Sequence, residues 1–285
     1  MRTPTTVAIT GAARGIGRAT AGAFLAAGAD VAIGDLDAAA AAQAAAELAA
    51  AHPGRVVLGL GLDVADPASM GAFLDAAKER LGGLDAVVNN AGIMPTTVFA
   101  EEPAELSDQT IDVNLRGVVH GTKAALSRLS PDGVVVNVSS QVTNLPAPAL
   151  ATYTATKAGV LGLDEALGRE LAASGSRIRL LAVLPGIIRT ELSAGANHRR
   201  WLDPVLVADP ERVAAAILAG VRRRRRRVAV PAILGPATAL LRALPYPLRR
   251  AAERALGLDV SFTAADPAAR ARYHARIDAA RAAAD

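Results

Sequence analysis

The 285-residue sequence predicts an α/β fold, an open, doubly wound sheet of about seven parallel strands with helices on both faces. Three observations predict it. Short β-branched runs alternate with Ala-rich stretches of about 12–20 residues, the spacing of crossover units. The runs are nearly continuously apolar, as strands covered on both faces must be. Hydrophobic residues make up 52% and charged residues 20%, enough for a sizeable core and too apolar for a disordered chain. Aromatics are only 3% while alanines number 67, so that core is built from small side chains with closely packed helices. The length suits one domain with a modest appendage.

In chain order, the strands are expected at residues 6–10, 31–34, 56–60, 86–89, 134–138, 178–182 and 228–230. In such a sheet ligands bind at the carboxyl ends of the strands. Two loops break the rhythm, 92–103 and 186–207, the second far longer than an ordinary connection and holding the lone tryptophan, Trp201. Loops of that kind usually hold substrate. After Pro231 the alternation stops. Residues 232–285 read as a helical, Pro-punctuated, Arg-rich extension.

Charge and composition exclude several classes. There is no cysteine, hence no disulfide scaffold, thiolate metal site or cysteine nucleophile. No run of 18 apolar residues spans a membrane, and the first strand starts too early to leave room for a signal peptide. A reducing cytosol is the expected compartment. The net charge of +4 conceals an asymmetry: residues 201–285 carry 15 basic and 8 acidic side chains (+7), leaving 16 − 19 = −3 for residues 1–200. The run of arginines at 222–227 has no aromatic neighbours to stack on bases and reads as a solvated helix end, so no nucleic acid is expected. The four histidines show no ligand spacing and no metal is expected; His198, in the long loop, is within reach of a substrate.

The residues that carry chemistry follow. Thr10-Gly11-Ala12-Ala13-Arg14-Gly15-Ile16-Gly17 joins the first strand to the first helix. Glycines there allow a tight turn and a close backbone approach to a pyrophosphate at the helix N-terminus, the Rossmann-type arrangement. Asp35 ends the second strand, 18 residues past Gly17, where a carboxylate accepts from a ribose hydroxyl. It also suits a helix cap, as does Asp37. Tyr153 and Lys157 lie four apart on a helix, one of three tyrosines beside one of three lysines. An ammonium near a phenol is expected to lower the phenol's pKa and make it a proton donor and acceptor. Ser140 ends the fifth strand 13 residues before Tyr153.

Together with Asp63-Val64, Asn89-Asn90-Ala91-Gly92, Asn114 and Pro185-Gly186-Ile187-Ile188-Arg189-Thr190, these motifs appear in an order and spacing that resembles the short-chain dehydrogenases/reductases over roughly residues 4–230. The resemblance implies an NAD(P)-dependent oxidoreductase acting on a CH–OH group. It implies Tyr153 as general acid/base, Lys157 holding the nicotinamide ribose, Ser140 bonding the substrate oxygen, and Asn114 anchoring a proton-relay water. It implies cofactor contacts from Gly11, Arg14, Gly15, Ile16, Gly17, Asp35, Asp63, Val64, Asn90, Gly92, Tyr153, Lys157, Pro185, Gly186, Ile188 and Thr190. Asp35 favours NAD, and Arg14 keeps NADP as the alternative. Residues 1–231 then form the dinucleotide-binding and catalytic domain, with 232–285 as the extension.

An apolar substrate lining is expected from Val98, Phe99, Val142, Leu145, Leu150, Leu192, Trp201, Leu202, Val205 and Leu206. It suits a hydrophobic secondary alcohol or ketone, with a small carbonyl compound as the alternative. A non-catalytic nucleotide-binding sensor or adaptor is the other class, but such a protein is expected to lose Ser140, Tyr153 or Lys157. A homodimer or homotetramer is expected. In the extension, residues 247–258 place Leu248, Ala251, Ala252, Ala255 and Leu256 on one stripe beside Arg249, Arg250 and Arg254. That stripe packs on the chain's own sheet, on a second subunit, or in a membrane interface.

Overall fold

The computed structural model describes residues 3–193, 200–256 and 275. Its elements run β1 (Thr6–Thr10), α1 (Gly15–Ala26), β2 (Asp30–Asp35), α2 (Ala38–Ala51), β3 (Val57–Gly61), α3 (Pro67–Leu81), β4 (Ala86–Asn89) and α4 (Ala104–Ile111). A π-helical turn (Asp112–Arg116) leads into α5 (Gly117–Leu126), then β5 (Val134–Val138), α6 (Ala151–Ala173), β6 (Arg179–Pro185), β7 (Ile187–Ile188), α7 (Asp203–Leu206) and β8 (Val207–Ala208). The described chain ends with α8 (Pro210–Arg222), β9 (Arg227–Val230), α9 (Leu234–Ala243) and α10 (Tyr246–Leu256).

Seven parallel strands form one sheet in the order β3-β2-β1-β4-β5-β6-β9. The chain winds outward from β1 to β3 and then resumes at β4 on the other side. The carboxyl ends of β1 and β4 therefore border a crevice. Side chains along each strand alternate between two cores. Val7, Ile9, Val31, Ile33 and Val88 meet α1, α2 and α8 through Phe24, Leu48 and Ile217. Ala8, Ala32, Val87 and Val135 meet α3 and α5 through Met70, Phe73, Leu74 and Ala125.

The structure departs from expectation in three places. β6 runs to Pro185, three residues beyond the expected end, because Pro185 pairs with Val230 at the carboxyl edge. The long 186–207 connection carries structure of its own, with Ile187↔Val207 and Ile188↔Ala208 forming a second, two-stranded sheet. In the third, the extension, only one of the fates expected for its stripe is excluded, packing on the chain's own sheet. α9 buries Leu234, Thr238 and Leu241, but α10 leaves Leu248, Ala251, Ala255 and Leu256 exposed. The residue α10 buries is Glu253, 6% exposed, with Arg250 Nη1 at 2.8 Å and Arg249 Nε at 3.6 Å from its carboxylate. Two guanidiniums make that burial tolerable, and the apolar stripe is turned outward. The stripe's expected end at Leu258 lies outside the described residues. Among the described residues no helix is long and apolar enough to cross a membrane.

Helix α2 shows how closely this Ala-rich core packs. A Cβ at Gly59 in β3 would lie 2.3 Å from the Ala41 carbonyl oxygen, so helix and strand touch backbone to backbone. Gly59→Ala must push them apart, and a loss of roughly 1–3 kcal/mol is expected by denaturant unfolding. Gly162, exposed in the middle of α6 with nothing within 4 Å of a Cβ, is the control. Gly162→Ala should stabilise by about 0.5–1 kcal/mol. A Gly59→Ala protein as stable as the parent would overturn the close approach.

Candidate active site

The turn after β1 fits an anionic group. Gly11 and Gly15 hold φ of +60° and +55°, which L side chains rarely adopt. A Cβ at Gly17 would lie 2.5 Å from the Gly11 carbonyl oxygen, and one at Gly11 2.7 Å from Ala91 Cα. Asn90 braces the turn: its Nδ2 donates to the carbonyls of Thr10 and Gly11, both at 2.9 Å. Thr10 Oγ1 in return accepts from the Asn90 and Ala91 amides at 3.0 Å. No side chain caps the start of α1 and its first turn holds no acid, so the positive helix end is left open. An open helix end over a glycine cradle fits a pyrophosphate.

A carboxylate stands at the far end of this turn. Asp35 accepts from the Ala13 amide at 3.1 Å and the Asp37 amide at 3.3 Å. Asp37, not Asp35, caps α2, accepting from the Ala40 amide at 2.9 Å. Arg14 leans toward Asp37, with Nη2 3.7 Å from its carboxylate. Asp63 folds onto its own loop, accepting from the Ala65 amide at 2.8 Å, and Val64 packs beside Gly117. Thr190 reaches back across the cleft, its Cγ2 3.6 Å from where a Gly15 Cβ would be. Of the residues expected to hold the cofactor all but Gly17, and of the four expected for catalysis all but Asn114, border one continuous cleft of about 2740 Å³.

At the other end, α6 crosses the carboxyl end of β5. Lys157 is 3% exposed; its Nζ donates to the Val138 carbonyl at 2.9 Å and lies 5.7 Å from the Tyr153 ring centre. Ser139 Oγ donates back to the Lys157 carbonyl at 2.9 Å. Ser140 Oγ accepts from the Val142 amide at 3.2 Å, closing the turn Gln141–Thr143. Asn114 is fully buried in the π-helical turn. Its amide clamps Ile93, accepting from the Ile93 N–H at 2.8 Å and donating to its carbonyl at 2.7 Å. Gly92 is where these groups converge, because a Cβ there would be 3.0 Å from Asn114 Oδ1 and 3.4 Å from Lys157 Nζ.

The expected lowering of the Tyr153 pKa is not seen. Burial pushes the phenol up to about 12, and the Ser140 hydroxyl beside it offsets only part of that. Burial likewise pushes Lys157 down to about 8. Both charged forms are penalised by the same dry surroundings, and the ammonium stands over the ring with one of its three N–H groups donating to Val138.

The substrate wall is partly the expected one. Val142, Leu145, Leu192 and Leu206 line the cleft. Leu150 and Leu202 are buried behind it, Val205 packs with Leu206 and Leu234, and Val98, Phe99 and Trp201 are exposed. Trp201 points out because Leu202 and Leu206, four apart, take the inward face of that segment. His198 lies outside the described residues.

Among the wall residues that escaped the sequence reading are Met94, Gln141 and Leu234. Gln141, next to Ser140, was the easiest to find. Its orientation is forced from the extension. Arg242 Nη1 donates to the Thr143 carbonyl at 3.1 Å and to Asn144 Oδ1 at 3.0 Å. A guanidinium only donates, so Asn144 must offer its oxygen there and its Nδ2 to Gln141 Oε1, at 3.1 Å. Gln141 Nε2 is left without a partner among the described residues. Among those residues, too, no cluster of three His, Cys, Asp or Glu could hold a metal.

Comparison with known proteins gives a consistent picture. The family model for short chain dehydrogenases matches residues 5–201. A probable oxidoreductase, EphD, from Mycobacterium tuberculosis is 35% identical over 240 residues, 78% of this chain. The chain spans only 40% of the length of that relative. An L-rhamnose 1-dehydrogenase (NAD(P)(+)) from Azotobacter vinelandii is 40% identical over 196 residues, covering 66% of this chain and 75% of the relative. Among solved structures, a 3-ketoacyl-(acyl-carrier-protein) reductase from Brucella melitensis complexed with NADH superposes with a TM-score of 0.71 at 30% identity. That match covers 79% of this chain and 96% of the reductase.

The buried ammonium makes a stability prediction. The folded-state pKa of Lys157, about 8, lies below its ordinary 10.5, so the unfolded chain holds the proton more tightly and folding strains against it at neutral pH. This cost is complete below about pH 8 and vanishes as pH climbs past 10.5. Lys157→Met should therefore raise the melting temperature at pH 7, by at most about 3 kcal/mol of stability, with the gain fading toward pH 10.5. A gain independent of pH, or a loss that persists at pH 7, would show that the ammonium is not the strained group.

Proposed function

The chain belongs to the short-chain dehydrogenase/reductase family of oxidoreductases, and from that premise we propose that it interconverts an apolar secondary alcohol and its ketone with NAD, Tyr153 serving as general acid and base. The observation that carries this reading is the Tyr153 phenol beside the Ser140 hydroxyl, at the apolar end of a cleft whose other end is the glycine turn.

When bound, the nicotinamide ring supplies or accepts the hydride. The chain's residues do the rest. The N–H groups of Gly15, Ile16 and Gly17 would hold the pyrophosphate, Asp63 and Val64 the adenine, and Asn90 its ribose side. Lys157 and Tyr153 would hold the nicotinamide ribose and Ile188 and Thr190 its carboxamide, with Gly92, Pro185 and Gly186 as further contacts. Ser140 donates to the substrate oxygen as charge gathers there. Tyr153 gives that oxygen its proton in reduction and takes one back in oxidation. A phenol with a pKa near 12 is protonated at neutral pH, the form reduction requires. Asn114 fixes Ile93 and so the shape of the wall beside Lys157. Residues 1–231 form the catalytic unit, and the extension lends it Leu234.

Two carboxylates support NAD. Asp35 faces the position of the adenosine ribose, and Asp37 draws Arg14 away from any 2′-phosphate. The aliphatic side chains of Val142, Leu145, Leu192 and Leu206 in that wall support a ketone such as an acyl or terpenoid compound, and Gln141 among them offers one polar contact.

With NAD, NADP and a panel of aliphatic ketones and alcohols, turnover read at the nicotinamide absorbance tests the reading. Tyr153→Phe should lower kcat by about 10²-fold or more, leaving NADH affinity within about threefold. A Tyr153→Phe enzyme near parental activity would remove the assigned acid. Asp35→Asn should shift the NADP-to-NAD ratio of kcat/KM upward by about tenfold. A parent that already prefers NADP tenfold would overturn the role of Asp35.

A further inference from the structure

The exposed large hydrophobic side chains of this protein are unevenly placed. Of eleven such residues among those described, six lie between 233 and 256: Ile233, Leu240, Leu244, Tyr246, Leu248 and Leu256. Leu240 is 71% exposed and Leu248 59%. At α9 and its two flanking residues, Ile233, Leu240 and Leu244 recur on one exposed side, apart from the buried Leu234, Thr238 and Leu241. On α10 the outward stripe is the one described above. Exposed apolar side chains clustered on two consecutive helices mark a docking surface.

Charge decides what docks there. Residues 232–256 carry four arginines, Arg242, Arg249, Arg250 and Arg254, against one acid, Glu253, a net of 4 − 1 = +3. Arg242 is turned to the segment after Ser140, and Arg249 and Arg250 pair with the buried Glu253, so the outward cations are Arg254 and the one charge that Glu253 leaves unmatched. A two-fold contact with a second copy would bring together two faces of the same positive sign. Residues 257–285 carry four acidic and four basic side chains, a net of zero that offers no complement. Leucines flanked by arginines, with Tyr246 held under Arg249 at 5.2 Å, match the interface of an anionic bilayer.

We propose that the outer face of α9 and α10 docks this protein on an anionic lipid surface. The position of the face gives that contact a use. The inner side of α9 presents Leu234 to the substrate cleft, and Arg242 grips the turn that follows Ser140. An apolar ketone dissolved in the bilayer would have one helix to pass. Docking stands apart from the catalytic reading, and only this access route rests on it.

The test needs neither substrate nor cofactor. The full chain is sedimented with vesicles of equal parts phosphatidylglycerol and phosphatidylcholine, and with phosphatidylcholine alone. Binding to the mixed vesicles that weakens as salt is raised, and little binding to the neutral ones, is expected. Leu240→Asp combined with Leu248→Asp should abolish it, and Arg254→Gln should weaken partition about fivefold. All three side chains point into solvent, and an unchanged melting temperature confirms that the fold survives. Failure of the parent to sediment with anionic vesicles overturns the proposal, as does undiminished binding by the double aspartate variant. A self-associating parent that the double variant renders monomeric, without lipid binding, would assign the face to a second copy instead.

Discussion

The hydrogen bond from Lys157 Nζ to the Val138 carbonyl holds a cation where burial works against it, and the reacting end of the cleft is arranged around that bond. Seating it requires α6 to cross the carboxyl end of β5 at one register. Ser139 secures that register by donating to the Lys157 carbonyl. Tyr153 then follows one helical turn earlier, beside Ser140. The ammonium also needs room, which is why residue 92 has no side chain: a Cβ there would crowd both Nζ and Asn114 Oδ1. Lys157 thus costs folding free energy at neutral pH, yet its surroundings are shaped to receive it, as the catalytic role proposed for it requires.

Below that bond lies a polar ladder. Asn89 donates to Asn137 at 2.8 Å, and Asn137 to Asp164 at 2.6 Å, tying β4 and β5 to α6. Burial pushes the Asp164 carboxyl up to about 6. A Cβ at Gly121 would lie 2.0 Å from Asn89 Oδ1, so α5 comes down directly onto the ladder. The neighbouring strands are otherwise Val and Ala. A network of short, directional bonds inside an aliphatic core gives this small-residue sheet a unique strand and helix register where the catalytic groups emerge.

Much of this was legible in the sequence, for identifiable reasons. Strands buried on both faces must be continuously apolar, and all seven appear where such runs occur. The glycine turn, Asp35, Ser140, Tyr153 and Lys157 were visible because turn geometry and scarce residue types leave a mark on composition. What was missed leaves none. β7 and β8 are two residues each, too short for any period. Leu234 lines the cleft through tertiary packing over Gly186. The outward turn of α10 depends on Glu253 finding two arginines, a pairing that hydrophobic patterning does not encode. The raised phenol pKa of Tyr153 reflects its burial, which the spacing of two side chains does not encode.

Helix α9 is where these separate lines meet. Its inner residues touch both walls of the cleft: Leu234 clusters with Leu206 of α7, and Arg242 holds Thr143 and Asn144. Its outer residues carry Leu240 and Leu244 into solvent. The extension is then better understood as the third side of the substrate cleft than as an appendage to a finished fold.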